Sequence, residues 1–171
     1  PMRGKTYHRF GYGNMRDYPL ADDKYAIEQL ANRYDFIDIN RVGIFGHSGG
    51  GFMATAAICT YPDFYKAAVS SSGNHDNNIY NRGWVEIYNG VQESTKTIQT
   101  ATGKDSIIYT FSSHVPTNME LAKNLKGHLL LVSGDQDRNV HPAHLLRMAN
   151  ALIQANKNFE MLLIPGAKHG Y

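Results

Sequence analysis

The chain has 171 residues, 42% hydrophobic and 19% charged, enough for one domain with a real core and unlike a disordered or fibrous chain. Its 17 basic and 15 acidic residues leave a net charge of +2, too balanced for nucleic acid or an anionic membrane to be the main partner. The single cysteine, Cys59, excludes an internal disulfide, and no run of about 18 apolar residues is present to span a membrane.

Residues 1–18 are rich in Gly, Arg and aromatic residues and show no period. Arg3, Lys5, Arg9 and Arg16 interleave with Tyr7, Phe10 and Tyr12, as a nucleic-acid arm would. Without a basic excess elsewhere, an ordered connecting loop is expected instead. The segment lacks the charged-then-apolar layout of a secretion signal. It also starts without Met, in loop-like sequence, so the chain is expected to be part of a longer protein.

Ile27, Leu30, Ala31 and Tyr34 fall at i, i+3, i+4 and i+7 and predict an amphipathic helix. Val42, Ile44 and Phe45 predict a short buried strand, and Phe52–Ile58 a helix rich in Ala and Met. Cys59, at the end of that helix, reads as a small buried apolar residue. A second buried strand is expected at Lys66–Ser72. Residues 74–115 are polar and aromatic with no sustained pattern, and long irregular insertions tend to be functional. Next come a short helix in "MELAKNL" and a strand at His128–Gly134. A helix from about Ala143 to Asn156 would place Leu145, Met148, Ala149 and Ile153 on one face. A last strand is expected at Phe159–Pro165. Apolar strands alternating with helices predict an α/β fold whose parallel sheet is covered on both faces.

In such sheets, ligands sit beyond the carboxyl ends of the strands. Ser48, Asp137 and His169 fall just past three of those ends. The turn Gly46-His47-Ser48-Gly49-Gly50 is a Gly-x-Ser-x-Gly motif between a strand and a helix. A serine hydroxyl needs an adjacent base, and the base needs an acid to fix its tautomer. The motif lifts the serine above the sheet on a strained turn, with glycines two residues to either side for close packing. The N–H of Gly49 then points where an oxyanion would form. Partners follow in the order Ser, Asp, His that this fold uses. Asp135 competes with Asp137 for the acid, and either could be a turn residue or helix cap. His47 reads as a packing or loop residue. His141 and His144 are three apart and His75 adjoins Asp76, but no HExxH motif or Cys pair accompanies them. Neither metal nor cofactor is expected.

"GHSGGG", "SGDQDRNVHPAH" and "PGAKHGY" together resemble the catalytic domain of the prolyl oligopeptidase family of serine peptidases, and its dipeptidyl peptidase IV branch most. The likeness runs from about Tyr7 onward and is weak between Val91 and Val115. It implies a truncated α/β-hydrolase fold, a mostly parallel sheet flanked by helices, over residues 1–171. It also implies Ser48 as nucleophile, Asp137 as acid, His169 as general base and Asn139 as a contact to a substrate carbonyl. Val140, Tyr80 and Trp84 would line a slot for a proline ring, with helix-face packing as the other reading of the two aromatics. The branch commonly has an aromatic before the serine and a tyrosine after it, where this chain has His47 and Gly49. The implied activity is release of N-terminal X-Pro or X-Ala dipeptides from peptide substrates. The alternatives are an esterase or acylaminoacyl peptidase of the same fold, or a non-catalytic binding domain. By the same resemblance, the earlier strands, the oxyanion tyrosine, a β-propeller gripping the free amine and a closing helix lie elsewhere in an extracytoplasmic parent protein. The chain alone is then expected to be inactive, and to associate with further copies through an unpaired edge at Val42–Phe45.

Overall fold

The computed structural model describes residues 2–171. In chain order the elements are α1 (Gly4–His8), α2 (Leu20–Arg33), β1 (Val42–His47), α3 (Gly49–Thr60), β2 (Tyr65–Ser71), α4 (Arg82–Asn89), β3 (Gln92–Gln99), β4 (Asp105–Ser112), a 3-10 helix (Met119–Asn124), β5 (His128–Gly134), α5 (Ala143–Gln154) and β6 (Glu160–Ile164). The apolar runs pair in parallel as a four-stranded sheet of order β1-β2-β5-β6.

One face of that sheet carries the core. Ala68, Leu129 and Leu131 pack there with Ala56, Ala57, Ile58 and Cys59 of α3 and with Leu145, Met148 and Leu152 of α5. The α3 helix is apolar nearly all round, which suits a helix buried on most sides. Full burial of a leucine such as Leu131 contributes about 1.5–3 kcal/mol. Leu145, Met148, Ala149 and Leu152 are the buried stripe of α5, while Ile153 is 62% exposed. The expected face was therefore off by one position at its end. At 3.6 residues per turn the seventh residue on returns to within about 20° of the first, and the eighth lies about 80° away.

Coverage of both faces is not what the described residues show. Register places Phe45 beside Val69 and Val69 beside Leu130, in a row on the face opposite α3, and Phe45 is 86% exposed. The Val42–Phe45 strand is thus buried only in part, and β1 stands at one edge of the sheet.

Residues 74–115 are more ordered than their composition suggested. Asn81 caps α4 by accepting a hydrogen bond from the Trp84 N–H at 3.1 Å. The antiparallel pair β3–β4 runs in register from Gln92 opposite Ser112 to Gln99 opposite Asp105. Nearly every residue of that hairpin is exposed, so neither face imposed an apolar period on the sequence. Its only legible signal is the β-branched content of Thr95, Thr97, Ile98, Ile107, Ile108 and Thr110.

The N-terminal segment holds a short helix, α1, where a loop was expected. Arg3 and Arg9 lie over the rings of Tyr7 and Tyr12. Arg16 is 9% exposed, donates to the Thr117 carbonyl at 2.6 Å and pairs with Asp17 and Glu120. These partners tie the segment to the domain and leave Arg16 unavailable to a phosphate backbone. Tyr34 is extended and ends α2 instead of lying within it.

Candidate active site

At the end of β1 the chain turns sharply into α3, and Ser48 occupies the corner at φ 57°, ψ −120°. A non-glycine residue there is strained and persists because its surroundings hold it. The Ser48 N–H donates to the Ser71 carbonyl at 2.8 Å, which pins the turn to β2. A Cβ on Gly46 would stand 2.2 Å from the Gly50 carbonyl oxygen, so only glycine fits. On the far side the close approach belongs to Gly51, whose Cβ would lie 2.6 Å from the Ser71 carbonyl; a Cβ on Gly50 would meet nothing within 4 Å. The packing role expected of Gly50 thus falls one residue later. Gly49 opens α3, with open space where its Cβ would stand, and a helix N-terminus presents N–H groups without intrahelical partners.

The two candidate acids separate cleanly. Asp135 is exposed and accepts from the Gly166 N–H at 2.7 Å, bracing the loop after β6. Asp137 is 1% exposed. Its Oδ1 accepts from the Asn139 and Val140 N–H groups, each at 2.9 Å, and its Oδ2 lies 2.8 Å from His169 Nδ1. Burial pushes the Asp137 carboxyl up, but the His169 and backbone hydrogen bonds outweigh it and hold the group below its ordinary value. Asp137 is therefore ionised at neutral pH, so His169 Nδ1 donates to it and Nε2 is left as an acceptor. That Nε2 lies 3.0 Å from Ser48 Oγ.

His169 is set in place by the acid's own strand. A Cβ on Gly134 would lie 2.3 Å from the Ala167 carbonyl oxygen and 2.5 Å from that of Lys168. Gly134 thus lets the loop after β6 press against the end of β5. The Gln136 N–H donates to the Ala167 carbonyl at 2.9 Å and fixes that approach.

Beside this row lie the residues expected to form a side-chain slot. Tyr80 and Trp84 meet edge to face with centroids 5.4 Å apart, and Trp84 also touches Tyr88 at 5.0 Å. The Tyr80 hydroxyl donates to Asn139 Oδ1 at 2.8 Å. Val140 is 2% exposed, so its side chain already sits largely within the protein. A cavity of about 810 Å³ lies apart, lined by residues including Asp76, Glu120 and Arg147; Ser48, Asp137 and His169 do not line it.

The remaining histidines divide by environment. His75 is buried; Asn118 Nδ2 donates to its Nδ1 at 3.1 Å, and its Nε2 faces Ser70 Oγ at 3.4 Å. Ser70 in turn donates to the Gly51 carbonyl at 2.8 Å, so this chain of bonds braces the floor of the serine turn. Burial, with His144 nearby, pulls His75 down to about 3. Burial likewise brings His144 to about 4, with Asp76 working against it. Both rings stay neutral at working pH. Residues 74–77 are all buried despite being polar, a bracing role their composition hid. His47 is neither a loop residue nor plainly packed. It ends β1, is exposed, and places Nδ1 2.7 Å from Ser71 Oγ and its ring 4.8 Å from that of His169.

A strained serine at a strand-to-helix turn, a histidine on its hydroxyl and a buried carboxylate behind that histidine recur together in serine hydrolases. The profile of the prolyl oligopeptidase family matches residues 1–171. The chain belongs to that family of serine peptidases. Among family relatives, human dipeptidyl peptidase 8 is 30% identical over 155 residues, covering 91% of this chain and 16% of the relative. Dipeptidyl peptidase family member 2 of Caenorhabditis elegans is 28% identical over 168 residues, 98% of this chain and 19% of the relative. The crystal structure of Porphyromonas gingivalis dipeptidyl peptidase 4 superposes with a TM-score of 0.78 at 24% identity, over 98% of this chain and 22% of that one. The chain thus spans 16–22% of the length of these relatives, and its fold is that of an α/β hydrolase.

Proposed function

We propose that Ser48, His169 and Asp137 act as the nucleophile, general base and orienting acid of a serine exopeptidase that releases X-Pro or X-Ala dipeptides. The observation that carries this reading is the pair of hydrogen bonds from Ser48 Oγ to His169 Nε2 at 3.0 Å and from His169 Nδ1 to Asp137 at 2.8 Å. In this scheme His169 takes the Ser48 proton as Oγ attacks the scissile carbonyl, and the Gly49 N–H meets the developing oxyanion. The imidazolium then protonates the leaving amine, and an acyl group stays on Ser48. Water, deprotonated by His169, releases the dipeptide and restores the serine.

The dipeptide specificity rests on the relatives' names and on the aromatic pair of Tyr80 and Trp84, which meets Asn139 through the Tyr80 hydroxyl. Tyr80, Trp84 and Val140 form the walls for a proline or alanine side chain, and Asn139, held by the Tyr80 hydroxyl, turns its amide N–H toward a substrate carbonyl. The grip on the substrate's free amine, a second oxyanion donor and the strand that pairs with the β1 edge belong to the rest of the full-length protein, a β-propeller among it. Activity is therefore a property to assay in that full-length protein.

Trp84→Ala separates this slot from plain helix packing. Loss of the ring is expected to lower kcat/KM for a Gly-Pro chromogenic amide by about 10- to 150-fold. A small p-nitrophenyl ester, which does not fill the slot, should lose less than about threefold. Equal losses on both substrates would make Trp84 structural and remove the ground for proline preference. An ester far better hydrolysed than the amide by the wild type would favour an esterase instead.

A further inference from the structure

We propose that His47 is a positioning residue for His169, holding the ring of the base against Ser48. The proposal rests on the triad reading above. Three observations place His47 for this. Its ring lies 4.8 Å from that of His169 at an interplanar angle of 54°, while Asp137 and Ser48 hold the two ring nitrogens of the base. Its own orientation is fixed, since Nδ1 is 2.7 Å from Ser71 Oγ and that oxygen is 2.8 Å from the Tyr171 hydroxyl. Tyr171 also stands edge-on to the His47 ring at 6.0 Å and reaches Ser72 Oγ at 3.4 Å. The segment just after His169 is thereby tied to β2 through the same hydroxyl that holds His47.

The consequence follows from charge. When His169 takes the Ser48 proton it becomes an imidazolium, and a neutral aromatic ring against its side supports that cation. The His47 ring is in turn held by Tyr171 and the Ser71 hydroxyl, so it keeps its place against the base as that charge develops. His47 itself takes no proton from Ser48; the transfer stays between Ser48 and His169.

The test compares wild type, His47→Phe and His47→Ala in the full-length protein, with kcat and KM for a Gly-Pro amide measured side by side. His47→Ala removes the ring, so kcat should fall about tenfold with KM little changed. His47→Phe restores an aromatic ring, so kcat should return to within about threefold of wild type. Full kcat in His47→Ala, or no recovery in His47→Phe, would overturn the proposal. Fluorophosphonate labelling of Ser48 in each variant distinguishes the two ways to fail. Labelled proteins with equal kcat refute the His47 role alone, whereas a wild type that takes no label refutes the triad and this proposal with it.

Discussion

Ser48→Ala in the full-length protein is expected to lower turnover of a Gly-Pro amide about a million-fold, with the fold kept. The size follows from the proposed triad, in which the three residues act as a unit: without Oγ no acyl-enzyme can form, and His169 and Asp137 have nothing to activate. The fold should survive because Oγ is the only part removed and His169 is its one recorded partner. The Ser48 N–H still bonds the Ser71 carbonyl, and Gly46 still admits the turn. Alanine at φ 57° suffers the same backbone strain that serine already bears. The thermal midpoint should therefore move by no more than about 3 °C. Activity above a hundredth of wild type would refute Ser48 as nucleophile.

Asp137→Asn should cost about 10⁴-fold in kcat by a different route. The Asn139 and Val140 N–H groups both donate to Oδ1 of residue 137, so an asparagine keeps its carbonyl oxygen on them. Its NH₂ then faces His169 Nδ1, which must accept, and the ring proton moves to Nε2. A protonated Nε2 cannot accept from Ser48. Kinetics report this as a fall in kcat with KM nearly unchanged; a loss below tenfold would remove the orienting role from Asp137. The substitution also changes how stability depends on pH. The folded carboxyl lies below its ordinary value, so its stabilising contribution is complete above about pH 4. It is lost as pH falls through the lower folded value. The stability gap between wild type and Asp137→Asn should accordingly hold steady at neutral pH and narrow only below about pH 4, as acid titration of unfolding would show.

Much of this site could be read from the chain because its chemistry depends on local pattern. Gly46 and Ser48 lie together at a strand-to-helix turn, and Asp137 and His169 each follow an apolar strand, so the fold converges residues that sequence order already placed at strand ends. The choice of Asp137 over Asp135 was open in sequence terms because both follow β5. The structure gives the two different surroundings, with Asp137 turned inward onto two backbone N–H groups and Asp135 accepting from Gly166. The β3–β4 hairpin was illegible for the opposite reason: exposed on both faces, it carries no alternation to find. Helix α5 shows the limit of periodicity, since Leu152 and Ile153 are both apolar and only the core distinguishes them. The brace of His75, Asn118 and Ser70 under the serine turn left no sequence signal at all. Each of those residues is polar, and their contacts join positions 43 residues apart and five apart through packing alone.

Intact-mass and peptide mass spectrometry of the full-length protein after reaction with a fluorophosphonate tests the central claim most directly. A nucleophilic serine activated by His169 predicts one adduct, on Ser48, formed in wild type and sharply slowed in both His169→Ala and Asp137→Asn. A natively folded protein that forms no adduct on Ser48, or forms it as fast without His169, would contradict the triad.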